Sequence, residues 1–236
     1  MAEPLKIHLG CGRHRMNDWV NCDLHPAPNV DRAFDVQKDW PFEDNAASAI
    51  YASHMLEHIA DPHAFFREAW RVLHPNGGMV LRMPFGGHRA AWWDLTHVRP
   101  WFPETFAFLQ PGYNDAIGNP QADDWRAYFG IHVIDLRVSG KFAKPLSRSR
   151  LFRKWFIAFA AHIPDAIEEI WARLYALKTP DAIELYRRDH IANYVPTQVC
   201  AYRHHLASEE RTTGEVGELV PLAEGGVVNG FHAWRW

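Results

Sequence analysis

Short apolar runs, each closed by a turn-forming residue, recur through the first third of the chain. Leu5 to Leu9 predicts a first buried strand, ended by Gly10-Cys11-Gly12. Trp19 to Cys22 predicts a second, ended by Asp23. Arg32 to Phe34 predicts a short third, ended by Asp35. Ala49 to Ser53 predicts a fourth, and Met79 to Met83 a fifth, stopped by Pro84. Between the last two the pattern changes period. Phe65, Ala69, Val72 and Leu73 fall on one helical face, behind Asp61 as cap and Pro62 in the first turn. Strand, helix and strand in this order imply a parallel crossover. The links among the first three strands leave little room for full helices, so these crossovers must be economical.

Farther on, Pro103 to Leu109 predicts a helix, and His132 to Val138 alternates as a strand does. Gln198 to Tyr202 predicts the last strand. The stretch from 147 to 190 has helical spacing. Phe152, Phe156, Phe159 and Ile163 form one stripe; Ile167, Ile170, Trp171 and Leu174 form the next, with Pro164 and Pro180 as breaks. The expectation is an α/β fold with a doubly wound, mostly parallel sheet of seven strands. A helical insertion, about 147–190, precedes the last strand and serves as a cap or an oligomer contact. One domain spans 1–207, and 208–236 form a C-terminal extension.

Composition adds limits. A formal net charge of −3 gives no reason to expect nucleic acid as a partner. Three cysteines, widely spaced, cannot build a disulfide framework and suit a reducing compartment. No apolar run reaches the length of a membrane span, and the start is unlike a signal peptide, so the expected location is cytoplasmic. A basic amphipathic stretch around Arg148, Arg150, Arg153 and Lys154 has two readings, a membrane-surface helix or a cap helix with a solvated edge; the second is preferred.

The chemistry lies at the predicted strand ends. A glycine pair after a buried strand lets backbone approach a ligand. In open α/β sheets, ligands sit outside the carboxyl ends of the strands. The series Ile7-His8-Leu9-Gly10-Cys11-Gly12, Asp23, Asp35-Val36, Trp40-Pro41-Phe42-Glu43-Asp44-Asn45, Ser53-His54-Met55-Leu56-Glu57-His58 and Arg71-Val72-Leu73-His74-Pro75-Asn76-Gly77-Gly78 resembles the class I S-adenosylmethionine-dependent methyltransferases, in particular the small type-11 methyltransferase domains. The resemblance covers roughly the first half of the chain. It implies that Gly10, Cys11 and Gly12 hold the methionine end of S-adenosyl-L-methionine and that Asp23, with Leu24, takes the ribose hydroxyls. It also implies that Asp35 and Val36 meet the adenine, and that Ser53 contributes backbone nearby. Two positions depart from the family's pattern: His8 stands where an acid is usual, and His14 where a third glycine often follows.

Methyl transfer from a sulfonium needs in-line positioning and exclusion of water, and an oxygen or nitrogen acceptor also needs its proton removed. His97, in Asp94-Leu95-Thr96-His97 after the fifth strand, is the candidate base on the acceptor side, with Asp94 to orient it; His54 is a further candidate. The expected activity is methyl transfer to a small or medium-sized acceptor, with no resident metal. Two alternatives stand beside it. One is a binding protein that keeps the fold without catalysis. The other is a metal hydrolase, because His54, Glu57 and His58 spell H-x-x-E-H.

Overall fold

The computed structural model describes residues 3–118, 126–142, 156, 159, 162–189 and 197–201. Its centre is an eight-stranded sheet. Strands β1 (Leu5–Leu9), β2 (Val20–Asp23), β3 (Arg32–Ala33), β4 (Ala47–Ser53), β5 (Leu73–Pro84), β6 (Phe129–Val138), β7 (Ile167–Ala176) and β8 (Thr197–Ala201) lie in the order β3-β2-β1-β4-β5-β7-β6-β8. The first five are parallel. β7 runs antiparallel to both β5 and β6, and β8 is parallel to β6. The α/β class and the mostly parallel sheet agree with the sequence. The strand count does not, and the reason lies in β7.

The sequence reads Ile167, Ile170, Trp171 and Leu174 as a helical stripe; in the fold they belong to a strand. Ile170, Ala172, Leu174 and Ala176 point into the main core, while Glu169, Trp171, Arg173 and Tyr175 occupy the other face. The true period is two. It was hidden because the outer row carries a large apolar Trp and the inner row carries weakly hydrophobic alanines. Of the predicted insertion, the helix α4 (Pro180–Asp189) is present. Most of 143–161, with the basic stretch and the oligomer contact expected there, lies outside the described residues, as do residues 202–236.

Among the described residues, further helices include α1 (Pro62–Val72), the one-turn α2 (Ala90–Trp93) and α3 (Tyr113–Ala116). Pro103–Leu109 winds as a 3-10 helix. α1 begins where the sequence says: the Asp61 carboxylate accepts from the Ala64 amide at 3.0 Å, and Pro62 loses no hydrogen bond in the first turn. It buries Phe65, Phe66, Ala69 and Val72 against Ile7, Leu9, Ile50, Met79 and Leu81 on one sheet face.

The opposite face is covered differently. Residues 10–19, 24–31 and 34–46 contain no helix, so the winding with helices on both faces is incomplete. The loop between β1 and β2 lays Met16 and Trp19 over Ala49, Tyr51 and Val80. Buried Asn21 gives that loop the hydrogen bonds a helix would have supplied. Its side chain accepts from the Met16 amide at 2.8 Å and donates to the carbonyls of Met16 and Trp19. His8 is buried on this face beside Asn21 and Tyr51. Burial lowers its pKa, opposed by Asn21, so the acid expected at this position is replaced by a packed imidazole.

Candidate active site

From β1 the chain steps outward to β2 and β3, then returns to β4 on the other side of β1. The strand order reverses between β1 and β4, the place at which open α/β sheets take their ligands. Gly10 to Gly12, Asp23, Ser53 and His54 all emerge at that edge.

Both glycines are in the left-handed region, Gly10 at φ +63° and Gly12 at φ +53°. A Cβ on Gly10 would stand 3.0 Å from Met55 Cγ, which leans across from the β4 side. Nothing lies within 4 Å of the Cβ position on Gly12, so its backbone faces open space. The loop is fixed from β2. Gly12 N–H donates to Asp23 Oδ2 at 2.7 Å, Asn29 Nδ2 donates to the Gly12 carbonyl at 2.7 Å, and Cys11 N–H donates to the Cys22 carbonyl. Asp23 anchors the loop, and among the described residues its other amide contact is His25 N–H at 3.4 Å.

Beyond Asp23, Leu24 is exposed. The Asp35 carboxylate accepts from the Gln37 amide, and the Val36 carbonyl accepts from the Trp40 indole. Gln37 Oε1 in turn accepts from the amides of Ala60 and Asp61, tying this segment to the start of α1. Burial pushes the Cys22 thiol up to about 12 and raises Cys11 as well, so neither is a thiolate nucleophile.

His54 is the strained residue here, at φ +50°. Its Nε2 meets Glu169 at 2.9 Å, and its Nδ1 lies 3.3 Å from Glu57 Oε1. Glu169, at the start of β7, also takes Arg82 at 3.2 Å and the Trp171 indole at 2.8 Å. Glu169 and Glu57 together hold the His54 imidazolium, with a pKa up to about 9, against the opposing effect of burial. Burial alone would raise the Glu169 carboxyl; His54 and Arg82 outweigh it and pull it down to about 2. A histidine held protonated is a poor general base at neutral pH.

Because the folded value of His54 exceeds the 6.5 of the free side chain, its contribution is complete below about pH 6.5. It is lost as pH rises through 9. The side chain is 45% exposed, so screening holds the effect to about 1 kcal/mol. Urea unfolding between pH 6 and 10 should show this decline, and His54→Gln should flatten it.

His97 is placed otherwise. Its side chain is 9% exposed, and its Nδ1 donates to the Ala91 carbonyl at 3.3 Å, leaving the Nε2 lone pair free. Asp94 does not orient it. Its Oδ2 is 3.9 Å from His97 Nε2, and its Oδ1 is taken by the Thr96 amide and hydroxyl. Glu57 and His58, on the 3-10 turn Leu56–His58, face His97 across this loop. The H-x-x-E-H segment is not one helix face: His54 turns to Glu169 while His58 turns to Thr96.

The glycine loop and Asp23 lie at strand ends and His97 in the loop after β5, as the sequence reads. Glu169 has no such signal, because its partner His54 lies across a long stretch of chain with no local pattern to announce it. Glu57 and His58 had a signal in H-x-x-E-H, though only Glu57 meets His54, and His58 turns to Thr96.

Residues 9–81 match the family model described as a methyltransferase domain. That segment runs from the end of β1 into β5 and carries the glycine loop, Asp23, Asp35 and His54. The matched segment is similar to such domains and spans less than half of the chain. Among solved structures, the chain is similar to a SAM-dependent methyltransferase from Archaeoglobus fulgidus. The identity is 14%, over 73% of this chain and 86% of the other, with a TM-score of 0.48. It is also similar to an S-adenosylmethionine-dependent methyltransferase from Mesorhizobium loti, with 12% identity over 72% and 90% of the chains and a TM-score of 0.42. No curated protein matches in sequence.

Proposed function

We propose that this chain transfers a methyl group from S-adenosyl-L-methionine to a small or medium-sized acceptor. The observation that carries the reading is the convergence of two features at the sheet's reversal point. One is a loop with two left-handed glycines, open beside Gly12; the other is a carboxylate at the end of β2, bonded to that loop's amide. Such a pair suits a ligand with a charged amino-acid end and a ribose diol. Gly10, Cys11 and Gly12 would hold the first, Asp23 the second, with Leu24, Asp35, Val36 and Ser53 beside them. The cofactor, when bound, supplies the electrophilic methyl group.

The chain's own contribution is positioning. The acceptor enters along the loop after β5, where His97 Nε2 is free to take a proton and exposed Arg99 can meet an anionic group. Buried free thiols at Cys11 and Cys22 fit a reducing cytoplasm. Among the described residues no helix is long and apolar enough to cross a membrane.

Titration calorimetry with S-adenosylmethionine tests the reading. Asp23→Ala should weaken binding by about 1–3 kcal/mol, roughly 5- to 150-fold, the cost of unpairing hydrogen-bonded groups. Unchanged affinity would remove the ribose assignment. Binding by the wild type without turnover on any acceptor would favour the non-catalytic alternative.

A further inference from the structure

We propose that Glu57, His58 and His97 form a site for a divalent first-row transition-metal ion, with Zn2+ as the reference ion. One ligand atom from each residue lies within 4.8 Å of the other two. The hydrogen bonds around them determine what those atoms offer. Thr96 Oγ1 donates its proton to Asp94 Oδ1 at 2.7 Å, so it can only accept from His58 Nδ1, 3.0 Å away. The Thr96 carbonyl, 3.2 Å from the same nitrogen, also only accepts. His58 Nδ1 therefore carries the proton, and Nε2 carries a lone pair. His97 follows the same logic through the Ala91 carbonyl at 3.3 Å. A ring N–H given to a carbonyl or hydroxyl, with the other nitrogen bare, is how metal-binding histidines are held.

The third member sharpens the argument. The Glu57 side chain is 2% exposed, and neither carboxylate oxygen accepts a hydrogen bond; His54 Nδ1, 3.3 Å from Oε1, gives only an ion-pair contact. The His54 imidazolium offsets its charge on one side, and both oxygens still lack a hydrogen-bond donor. Two bare imidazole nitrogens and a buried carboxylate leave three acceptors facing one another with no donor among them. A cation resolves all three at once. Two nitrogens and one oxygen suit Zn2+ or Fe2+ and do not suit Mg2+ or Ca2+, which prefer oxygen. Three protein ligands leave a position open for water or a ligand oxygen.

The site joins the turn after β4 to the loop after β5, and Val98 N–H donating to the Glu57 carbonyl at 2.9 Å fixes their spacing. It is a different set from the one H-x-x-E-H suggests, since His54 is replaced by His97. The inference stands on this geometry and does not depend on the methyl-transfer reading.

The test strips the full chain with a chelator, dialyses it against Zn2+ and measures bound metal by mass spectrometry. The wild type should retain one Zn2+ that His97→Ala and Glu57→Gln lose, and His74→Ala, a surface change elsewhere, should retain it. Zn2+ should raise the melting temperature of the wild type and not that of His97→Ala. Co2+ in place of Zn2+ should give visible absorption bands in the wild type alone. If Glu57→Gln does not fold, His58→Ala takes its place. A wild type that retains no metal overturns the proposal. So does equal retention by the wild type and the ligand variants.

Discussion

Trp171→Ala should destabilise the protein by about 3–5 kcal/mol, the range for truncating a large packed aromatic side chain. Trp171 is 9% exposed at the middle of β7, paired across the sheet with Arg82 on β5 and Asp135 on β6. Two guanidiniums flank its ring, Arg82 at 4.3 Å and Arg137 at 4.2 Å from the centroid. Its indole N–H donates to Glu169, which in turn holds His54. The alanine variant loses buried area, two cation–π contacts and one constraint on the active-site edge. Urea unfolding gives the loss directly. A change below about 1 kcal/mol would mean that Trp171 does not sit between these strands.

His97→Ala should lower turnover by about 10²–10⁴ on an oxygen or nitrogen acceptor, the usual worth of general acid–base help. The free Nε2 lone pair is what the variant removes. In the proposed reading that lone pair would serve proton transfer when the imidazole acts alone and coordination when the Glu57–His58–His97 site is filled. Affinity for S-adenosylmethionine should be little changed, because Gly12 and Asp23, the groups proposed to hold it, are bonded to each other independently of His97. The comparison needs single-turnover rates with radiolabelled methyl donor and calorimetric affinity on the same two proteins. Unchanged turnover would remove His97 from the chemistry.

The two variants also mark what the sequence made legible. β1 and its loop could be read because a buried strand that ends in Gly-Cys-Gly leaves few conformations. α1 could be read because its cap, its proline and its apolar stripe agree. The positions of Asp23, at the end of β2, and of His97, after β5, could be read from the strands before them. β7 could not be read, because Trp171 sits in the outward row and Ala172 and Ala176 sit in the inward one, so the apolar residues mimic helical spacing. The bare loop from 10 to 19 was anticipated only as a shortened link. Its support comes from one buried residue, Asn21, which no periodicity marks. The pairing of His54 with Glu169 depends on β7 lying antiparallel beside β5, which brings Glu169 opposite Pro84 at the carboxyl edge. A tertiary pairing of that kind has no signature in local sequence.

S-adenosylmethionine is expected to lie at the β1–β4 reversal point. Hydrogen exchange with and without the cofactor, resolved by peptide, tests it most directly. Exchange should slow in peptides covering residues 10–12, 23–25, 35–36 and 53–54, with no comparable change in α4. Protection confined to other segments, or none at saturating cofactor, would contradict it.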